Sequence, residues 1–132
     1  MITNLSREPV TLASLRGCPS FFYIASPYSK FASGVEAAFR EISRITAGLV
    51  EAGLPCFSPI AHSHPVAVHG GLDPLDHTIW MPLDEPMMRA AHGIIVVQMD
   101  GWRESYGVNV EINYFRAAGK PVYFMTVEAP VC

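Results

Sequence analysis

The sequence predicts a single three-layer α/β domain with a parallel, Rossmann- or flavodoxin-like sheet of about four to five strands. Short apolar runs alternate with amphipathic helical patterns along the chain, and parallel strands require crossover connections of this kind. The length of 132 residues fits one domain, and a hydrophobic share of 50% supplies its core. We therefore expect one domain over residues 1–132, in which residues 1–20 are an N-terminal extension.

The first half of the chain predicts a strand, a helix and a second strand. The apolar run at residues 21–25 stops at a Ser-Pro step, as a buried parallel strand would. Ser33 precedes Glu36 at capping-box spacing, so the helix is expected to begin at Ser33, and Gly53 is expected to end it. Residues 55–60 are the second, short predicted strand.

The second half opens with a predicted loop and continues with helices and strands. Residues 61–76 are rich in His, Gly and Pro and lack an apolar period, which predicts a long active-site loop. Beyond the loop, the predicted elements are a helix at residues 77–91 interrupted by Pro82 and Pro86, a strand at 93–98, a helix at 107–118 and a strand at 121–125. Ligands of such sheets bind at the carboxyl ends of the strands, so the segments that follow the first three strands are expected to form one site.

Charge and cysteine content argue against several classes of protein. A formal net charge of -3 and a pI near 5.9 disfavour a nucleic-acid-binding face. The three cysteines, Cys18, Cys56 and Cys132, lie far apart without a CxxC pair, which disfavours a disulfide framework and a thiolate zinc site. The N-terminal segment lacks the apolar run of a signal peptide, and no stretch approaches the ~20 apolar residues that span a bilayer. A reduced cytoplasmic protein without membrane association is expected.

Glu111 is a carboxylate on the apolar stripe of a predicted helix. Its neighbours on that stripe are Val108, Ile112 and Phe115, so Glu111 is expected to point toward the sheet. A buried, unpaired carboxylate is costly, so this position indicates a partner or a catalytic role. A place near the first helical turn favours the ionised form, and an ionised, partly desolvated carboxylate is a candidate nucleophile. The alternative is that Glu111 only bonds a neighbouring hydroxyl or the backbone.

Asp84 repeats this pattern in the preceding predicted helix. It follows Trp80 by four residues on the face that is expected to be buried with Leu83, Met87 and Met88. The alternative is capping, because Asp84-Glu85-Pro86 also resembles a helix start with proline in the first turn. Two carboxylates in one pocket suit glycosidic cleavage, in which one attacks the anomeric carbon and the other handles the proton of the leaving group. The chain contains no serine-hydrolase, nucleoside triphosphate or dinucleotide motif.

The segment after the first predicted strand indicates an anion site. Ser26, Ser29, Lys30 and Ser33 would place hydroxyls and one ammonium beside the N–H groups of the first predicted helix. The alternative is ordinary capping by Ser33 with solvated neighbours. Tyr28 lies in the same segment, where its hydroxyl is expected to reach the glutamate, unless the ring only packs.

Histidines and tryptophans complete the set of candidate residues. The ligand types needed for a metal occur at His62, His64, His69, Asp73, Asp76 and His77, but their spacing matches no zinc pattern. No metal and no cofactor are therefore expected. Trp80 and Trp102 would stack on a nucleobase, although the helical spacing of Trp80 also suits the core.

Several short motifs occur together from about Phe22 to Phe124. They are Ala25-Ser26-Pro27-Tyr28-Ser29, Phe57-Ser58-Pro59 before a His-containing segment, Asp84, the series Gly101-Trp102, Ser105, Gly107 and Glu111, and the stretch Gly119-Lys120-Pro121-Val122. Together they resemble the nucleoside 2-deoxyribosyltransferase family and its nucleotide N-glycosidase relatives, in a poorly characterised bacterial branch. The chain departs from the family pattern at His92, where Asp is common, and in the longer, Gly- and Pro-rich segment 65–76.

The resemblance implies roles for individual residues. Glu111 matches the nucleophile that forms a glycosyl-enzyme intermediate, Asp84 the acid that assists the base, and Tyr28 the residue that holds the glutamate. Ser105 matches a sugar or phosphate contact, and Gly107 and His64 are assigned with it to substrate binding. The implied activity is retaining cleavage or transfer of the N-glycosidic bond of a nucleoside or nucleoside 5′-monophosphate, by a homodimer or homotetramer.

Two other functions remain open at this point. The chain could be a non-catalytic nucleotide-binding module of the same fold, with Glu111 accepting a ribose hydroxyl. A metal-dependent hydrolase that uses the His-rich segment is the third interpretation.

Overall fold

Strands and helices alternate along residues 2–4 and 8–127, the part of the chain that the computed structural model describes. In chain order they are β1 (Ile2–Thr3), β2 (Pro9–Val10), α1 (Leu12–Arg16), β3 (Phe22–Ala25), α2 (Val35–Glu51), β4 (Cys56–Phe57), α3 (Pro59–Gly70), α4 (His77–Ala90), β5 (Gly93–Gln98), α5 (Tyr106–Ala117) and β6 (Val122–Thr126).

The described strands form one six-stranded sheet of order β2-β1-β6-β5-β3-β4. Strands β4, β3, β5 and β6 are parallel, whereas β1 is antiparallel to both β6 and β2. The α/β class is therefore confirmed, but the prediction of a parallel sheet with four to five strands is wrong. The N-terminal extension adds the antiparallel strands β1 and β2, which are too short to show a strand period in the sequence.

Apolar side chains cover both faces of the sheet. Helix α2 packs on one face through Ile42, Ile45 and Leu49, where Leu15 of α1 joins the same cluster. Helices α4 and α5 pack on the other face through Met88, Val108, Ile112 and Phe115. Burial on two sides explains why β3 and β5 are apolar at almost every position.

The segment predicted as a long loop, residues 61–76, is largely helical. Helix α3 begins after Ser58, whose Oγ accepts from the Ala61 amide at 3.2 Å, and it ends at Gly71 in the left-handed conformation. Its buried side chains, apart from the first-turn Pro59, are only His64 and Ala67, so the helix lacks the apolar stripe on which the prediction depended.

The start of α2 differs from the prediction, whereas α4 begins at His77 as predicted but is not interrupted by its prolines. Helix α2 has Gly34 as its N-cap without a side-chain capping bond, so Ser33 does not cap it. Helix α4 begins after Asp76 and runs through both of its prolines, which lie at exposed positions where water can reach the unpaired carbonyls. Asp84 therefore lies inside α4, and the capping explanation for it is wrong.

The strand order creates a crevice at one edge of the sheet. The chain passes from β3 through α2 to β4 on one side, and then returns to β5 on the other side of β3. The parallel strands thus follow a flavodoxin-like order, whose reversal lies between β3 and β5. Loops that leave these two strands diverge, and the gap between them is open to a ligand.

The state of the cysteines and the lengths of the helices can be compared with the expectations about disulfides and membrane spans. Cys18 and Cys56 are free thiols, and Cys132 lies outside the described residues. Among residues 2–4 and 8–127, none of the helices combines the length and the apolar character needed to cross a membrane.

Candidate active site

A cavity of about 130 Å³ lies at the carboxyl ends of β3 and β5. Its walls come from the segment after β3, the first turns of α3, the segment from Pro74 to Asp84, and the first two turns of α5. The predicted residues that line it are Ser26, Tyr28, Ser29, Trp80, Asp84, Ser105, Gly107 and Glu111. The structure thus brings both candidate carboxylates to one cavity.

Glu111 lies in the second turn of α5, and its side chain is buried with 8% of its surface exposed. Burial raises the pKa of Glu111 to about 8, an interaction with the Tyr23 hydroxyl lowers it, and the charge of Asp84 raises it further. The expectation that a first-turn position keeps Glu111 ionised is therefore wrong, because the residue lies beyond that turn and desolvation dominates.

Asp84 is a half-buried carboxyl on α4. Burial raises its pKa to about 6. Because the charge on Asp84 hinders ionisation of Glu111, the two carboxyls behave as a coupled pair. Between about pH 6 and 8, this pair favours a single bound proton.

Tyr23 is the partner of Glu111 that the sequence did not identify. Its side chain is fully buried in β3, and its hydroxyl has no bond of ordinary hydrogen-bond geometry within the described part of the chain. The hydroxyl nevertheless interacts with Glu111, and burial together with the charges of Glu111 and Asp84 raises the pKa of Tyr23. A tyrosine in a strand covered on both faces was the available signal, because its hydroxyl needs a polar neighbour.

Tyr28 does not hold the glutamate as predicted. Its hydroxyl is 2.5 Å from Nδ1 of His64, and Nε2 of His64 is 2.7 Å from a carboxylate oxygen of Glu36. His64 is buried behind Tyr28 and stacks on Phe39 with ring centroids 4.4 Å apart, so it does not line the cavity. Because residues 61–76 were predicted to be a loop, the burial of His64 in a helix was not expected.

The predicted anion site is only partly assembled. Ser26 and Ser29 line the cavity, and the buried Ser26 hydroxyl has no hydrogen-bond partner among the described residues. Lys30 is exposed and lies outside the cavity lining. Ser105 caps α5 by accepting from the Val108 amide at 3.3 Å, and it lines the cavity together with Tyr106 and Gly107 of the first turn of α5.

The two tryptophans have different positions. Trp80 lines the cavity, but it is buried and its Nε1 donates to the Asp73 carbonyl at 2.9 Å. Trp102 lies outside the lining and packs against Phe124, with ring centroids 5.8 Å apart. The exposed rings that line the cavity are instead those of His77, which was named only as a possible metal ligand, and Tyr106, which was not named; their centroids are 4.7 Å apart and their planes are tilted by 49°.

The histidine-rich segment does not gather its ligand-type side chains. Among the described residues, no group of three or more His, Cys, Asp or Glu side chains could hold a metal ion. His64 is buried against Glu36 and Phe39, whereas His62 and His69 are exposed, so the metal-dependent interpretation finds no ligand cluster on α3.

Comparison with known proteins assigns the chain to a family. Residues 20–127 match the model of the family described as "Domain of unknown function (DUF1937)", and the chain belongs to this family. No curated protein matches the chain.

Proposed function

We propose that this member of the DUF1937 family cleaves or transfers the N-glycosidic bond of a nucleoside or nucleoside 5′-monophosphate, with Glu111 as nucleophile. The observation that carries the proposal is that Glu111 and Asp84 line the same cavity and are electrostatically coupled. The motifs that resemble the nucleoside 2-deoxyribosyltransferase family include both residues, which supports the same chemistry.

The size of the cavity supports a sugar as the enclosed part of the substrate. Its volume is about 130 Å³, whereas whole-ligand pockets commonly have roughly 300–1,000 Å³. A pentose ring would occupy the enclosed space, and the base and any phosphate would lie at the mouth. His77 and Tyr106 at the mouth would stack on the base.

The reaction would proceed in two steps at the anomeric carbon. In the first, a Glu111 carboxylate oxygen forms a bond to that carbon while the bond to the base nitrogen breaks, and Asp84 donates a proton to the leaving base. In the second, water or an acceptor hydroxyl attacks the same carbon, Asp84 accepts its proton, and the ester bond to Glu111 breaks. Two displacements retain the anomeric configuration.

The position of the single proton on the Glu111 and Asp84 pair determines whether the pair can react. The first step needs Glu111 ionised and Asp84 protonated, a form with one proton on the pair. The pKa values of about 8 for Glu111 and about 6 for Asp84 place most of that proton on Glu111 in the free protein. A cationic transition state next to Glu111 would stabilise its ionised form and move the proton to Asp84.

A 5′-phosphate would be bound by hydroxyls and backbone N–H groups. Ser26 and Ser29 line the cavity, and the first turn of α5 contributes Ser105, Tyr106 and Gly107 to the lining. Lys30 contributes nothing to the lining, so the preference for a monophosphate over a nucleoside is expected to be small.

The second candidate function is a nucleotide-binding module without turnover. It is favoured by the raised pKa of Glu111, about 8, because a protonated carboxyl at pH 7 would donate a hydrogen bond to a ligand instead of attacking it. In that case the protein would bind nucleotides and release no base.

Base release from a substrate panel distinguishes the two functions. Ribo- and deoxyribonucleosides and their 5′-monophosphates would be incubated with the protein, with and without an acceptor base, and free base measured by chromatography. We expect release that Glu111→Gln lowers by more than about 100-fold, since removal of a nucleophile raises the barrier by well over ~3 kcal/mol. Glu104→Gln, at an exposed position in the preceding turn, is the matched control and should keep near wild-type activity. Binding without release by the wild-type protein would favour the module, and residual activity of Glu111→Gln within about tenfold would contradict the nucleophile.

A further inference from the structure

A chain of hydrogen bonds runs from the protein surface to the cavity through a buried histidine. Glu36, in the first turn of α2, has a side chain that is 57% exposed, and its carboxylate meets Nε2 of His64 at 2.7 Å. His64 is 4% exposed, and its Nδ1 meets the Tyr28 hydroxyl at 2.5 Å. Tyr28 lines the cavity, so the chain ends at the ligand site.

The donors and acceptors along this chain have one consistent direction. The hydrogen bond from His64 lowers the pKa of Glu36, which is therefore an ionised carboxylate that can only accept. Nε2 of His64 must carry the hydrogen, and Nδ1 of the neutral ring is then an acceptor. Tyr28 consequently donates its only hydrogen to His64.

We propose that the Glu36–His64 pair fixes the Tyr28 oxygen as a hydrogen-bond acceptor in the cavity, so that the site selects a sugar with a free hydroxyl at that point. The inference rests on the proposed function, since it takes the enclosed ligand to be the sugar of a nucleotide. Tyr28 is the specificity-determining residue, and His64 and Glu36 are positioning residues.

The other polar groups of the cavity cannot impose the same selection. Ser26, Ser29 and Ser63 also line it, but a serine hydroxyl rotates and can donate or accept as the ligand requires. The Tyr28 hydroxyl is held by its bond to His64, so only a donor hydroxyl of the ligand satisfies its oxygen. A deoxy sugar would leave that oxygen without a partner, at a cost of about tenfold or more in affinity.

Binding of matched nucleotides tests this selection without depending on turnover. The probes are adenosine, guanosine, cytidine and uridine 5′-monophosphates together with their 2′-deoxy and 3′-deoxy forms, titrated by calorimetry. We expect the wild-type protein to prefer the hydroxylated form at one of these two positions by about tenfold or more. Tyr28→Phe and His64→Phe should reduce that preference to about threefold or less and leave the affinity for the deoxy form nearly unchanged. In His64→Phe the Tyr28 hydroxyl is free to donate, whereas in Tyr28→Phe it is absent.

Matched variants separate the hydrogen-bond chain from general effects of substitution. His62→Phe changes an exposed histidine of the same helix. Glu41→Ala removes the carboxylate of α2 that pairs with the exposed Arg44. Both variants should keep the wild-type preference for the hydroxylated ligand. Glu36→Ala removes the acceptor that holds the hydrogen on Nε2 of His64, so it should lower the preference for the hydroxylated ligand. Because Glu36 is exposed, this variant is expected to fold. If His64→Phe does not fold by circular dichroism, Tyr28→Phe and Glu36→Ala decide the question.

The outcomes distinguish this inference from the proposed function. Hydroxyl selection that disappears in Tyr28→Phe and His64→Phe, without any base release, would support the inference and contradict the glycosidase. Base release, together with a hydroxyl preference that is unchanged in both variants, would support the glycosidase and contradict the inference. Equal affinity of the wild-type protein for hydroxylated and deoxy ligands, or no binding of any probe, overturns the inference.

Discussion

Glu111 retains its proton more strongly than an exposed glutamate because α5 holds it beneath the cavity, away from water. Its pKa of about 8 in the folded protein compares with 4.5 for an unperturbed glutamate. Between these values the unfolded chain has released a proton that the folded protein retains, so the free energy of unfolding contributed by Glu111 falls as pH rises. Ionised Glu111 thus destabilises the fold, as expected for a residue kept for function.

This linkage predicts the stability of a neutral variant. Glu111→Gln should match the wild-type free energy of unfolding below about pH 4.5 and exceed it progressively up to about pH 8, by an amount on the order of a few kcal/mol. Chemical denaturation at several pH values measures the difference. A difference that is independent of pH would show that burial does not raise the pKa of Glu111.

The coupled pair predicts the pH dependence of activity. Base release should increase as pH rises through about 6 and decrease as it rises through about 8, because the reactive form carries one proton on Glu111 and Asp84 together. Initial rates measured from pH 4.5 to 9.5 give the profile. Undiminished activity above pH 9 would contradict the need for a proton on the pair.

At the scale of elements, the strands were easier to predict than the helices. The apolar runs of β3 and β5 are buried on both faces, so hydrophobicity alone identifies them. The sequence predicts a loop where the structure has α3, because His, Ser and Pro occupy positions where a helix against a sheet usually carries apolar residues. It packs mainly on α2 and β3 through few side chains, and its signals were the Ser58 cap and the proline in the first turn.

In the candidate site, the two carboxylates were predictable from the sequence, whereas the contacts that surround them were not. Positions on an apolar stripe identified Glu111 and Asp84, since a carboxylate there is anomalous in the sequence itself. The interactions of Tyr23 with Glu111 and of His64 with Tyr28 were not predicted, because they depend on contacts between distant elements, such as the bond from α3 to the loop after β3. Spacing along one element contains no information about such contacts.

Gly101 allows the loop after β5 to approach the backbone of the loop after β3 closely. It has a φ of 88°, and an added Cβ would clash with the Lys30 carbonyl oxygen in the loop after β3. Gly101→Ala should therefore lower the free energy of unfolding by more than about 1–2 kcal/mol and reduce base release. Gly70→Ala, in open space at the end of α3, is the control and should be neutral or stabilising by up to about 1 kcal/mol. Equal stabilities of the two variants would contradict the close approach of these loops.

At the scale of the whole molecule, apolar side chains lie exposed along the segment that borders the cavity. They are Leu72, Leu75, Ile79 and Leu83, with Tyr106 on the adjacent helix, and Leu75 and Tyr106 also line the cavity. A second copy of the chain would cover these side chains and narrow the mouth of the site.

This surface predicts a homodimer or homotetramer. Sedimentation equilibrium should give a mass of two or four chains, and Leu83→Glu should shift the protein toward monomer. Val50→Glu is the control, because Val50 is exposed on α2 at the opposite face of the sheet. A wild-type protein that remains monomeric at high micromolar concentration would contradict the prediction.

The proposed mechanism requires a glycosyl-protein intermediate on Glu111, and mass spectrometry of the quenched protein would detect it. Protein that is turning over a nucleotide would be quenched in acid and digested, and the peptides analysed for added mass. We predict that the peptide containing Glu111 gains the mass of the sugar, and that no such gain occurs in Glu111→Gln. Release of base with every peptide unmodified and an inverted product, or a sugar attached to Asp84, would contradict Glu111 as the nucleophile.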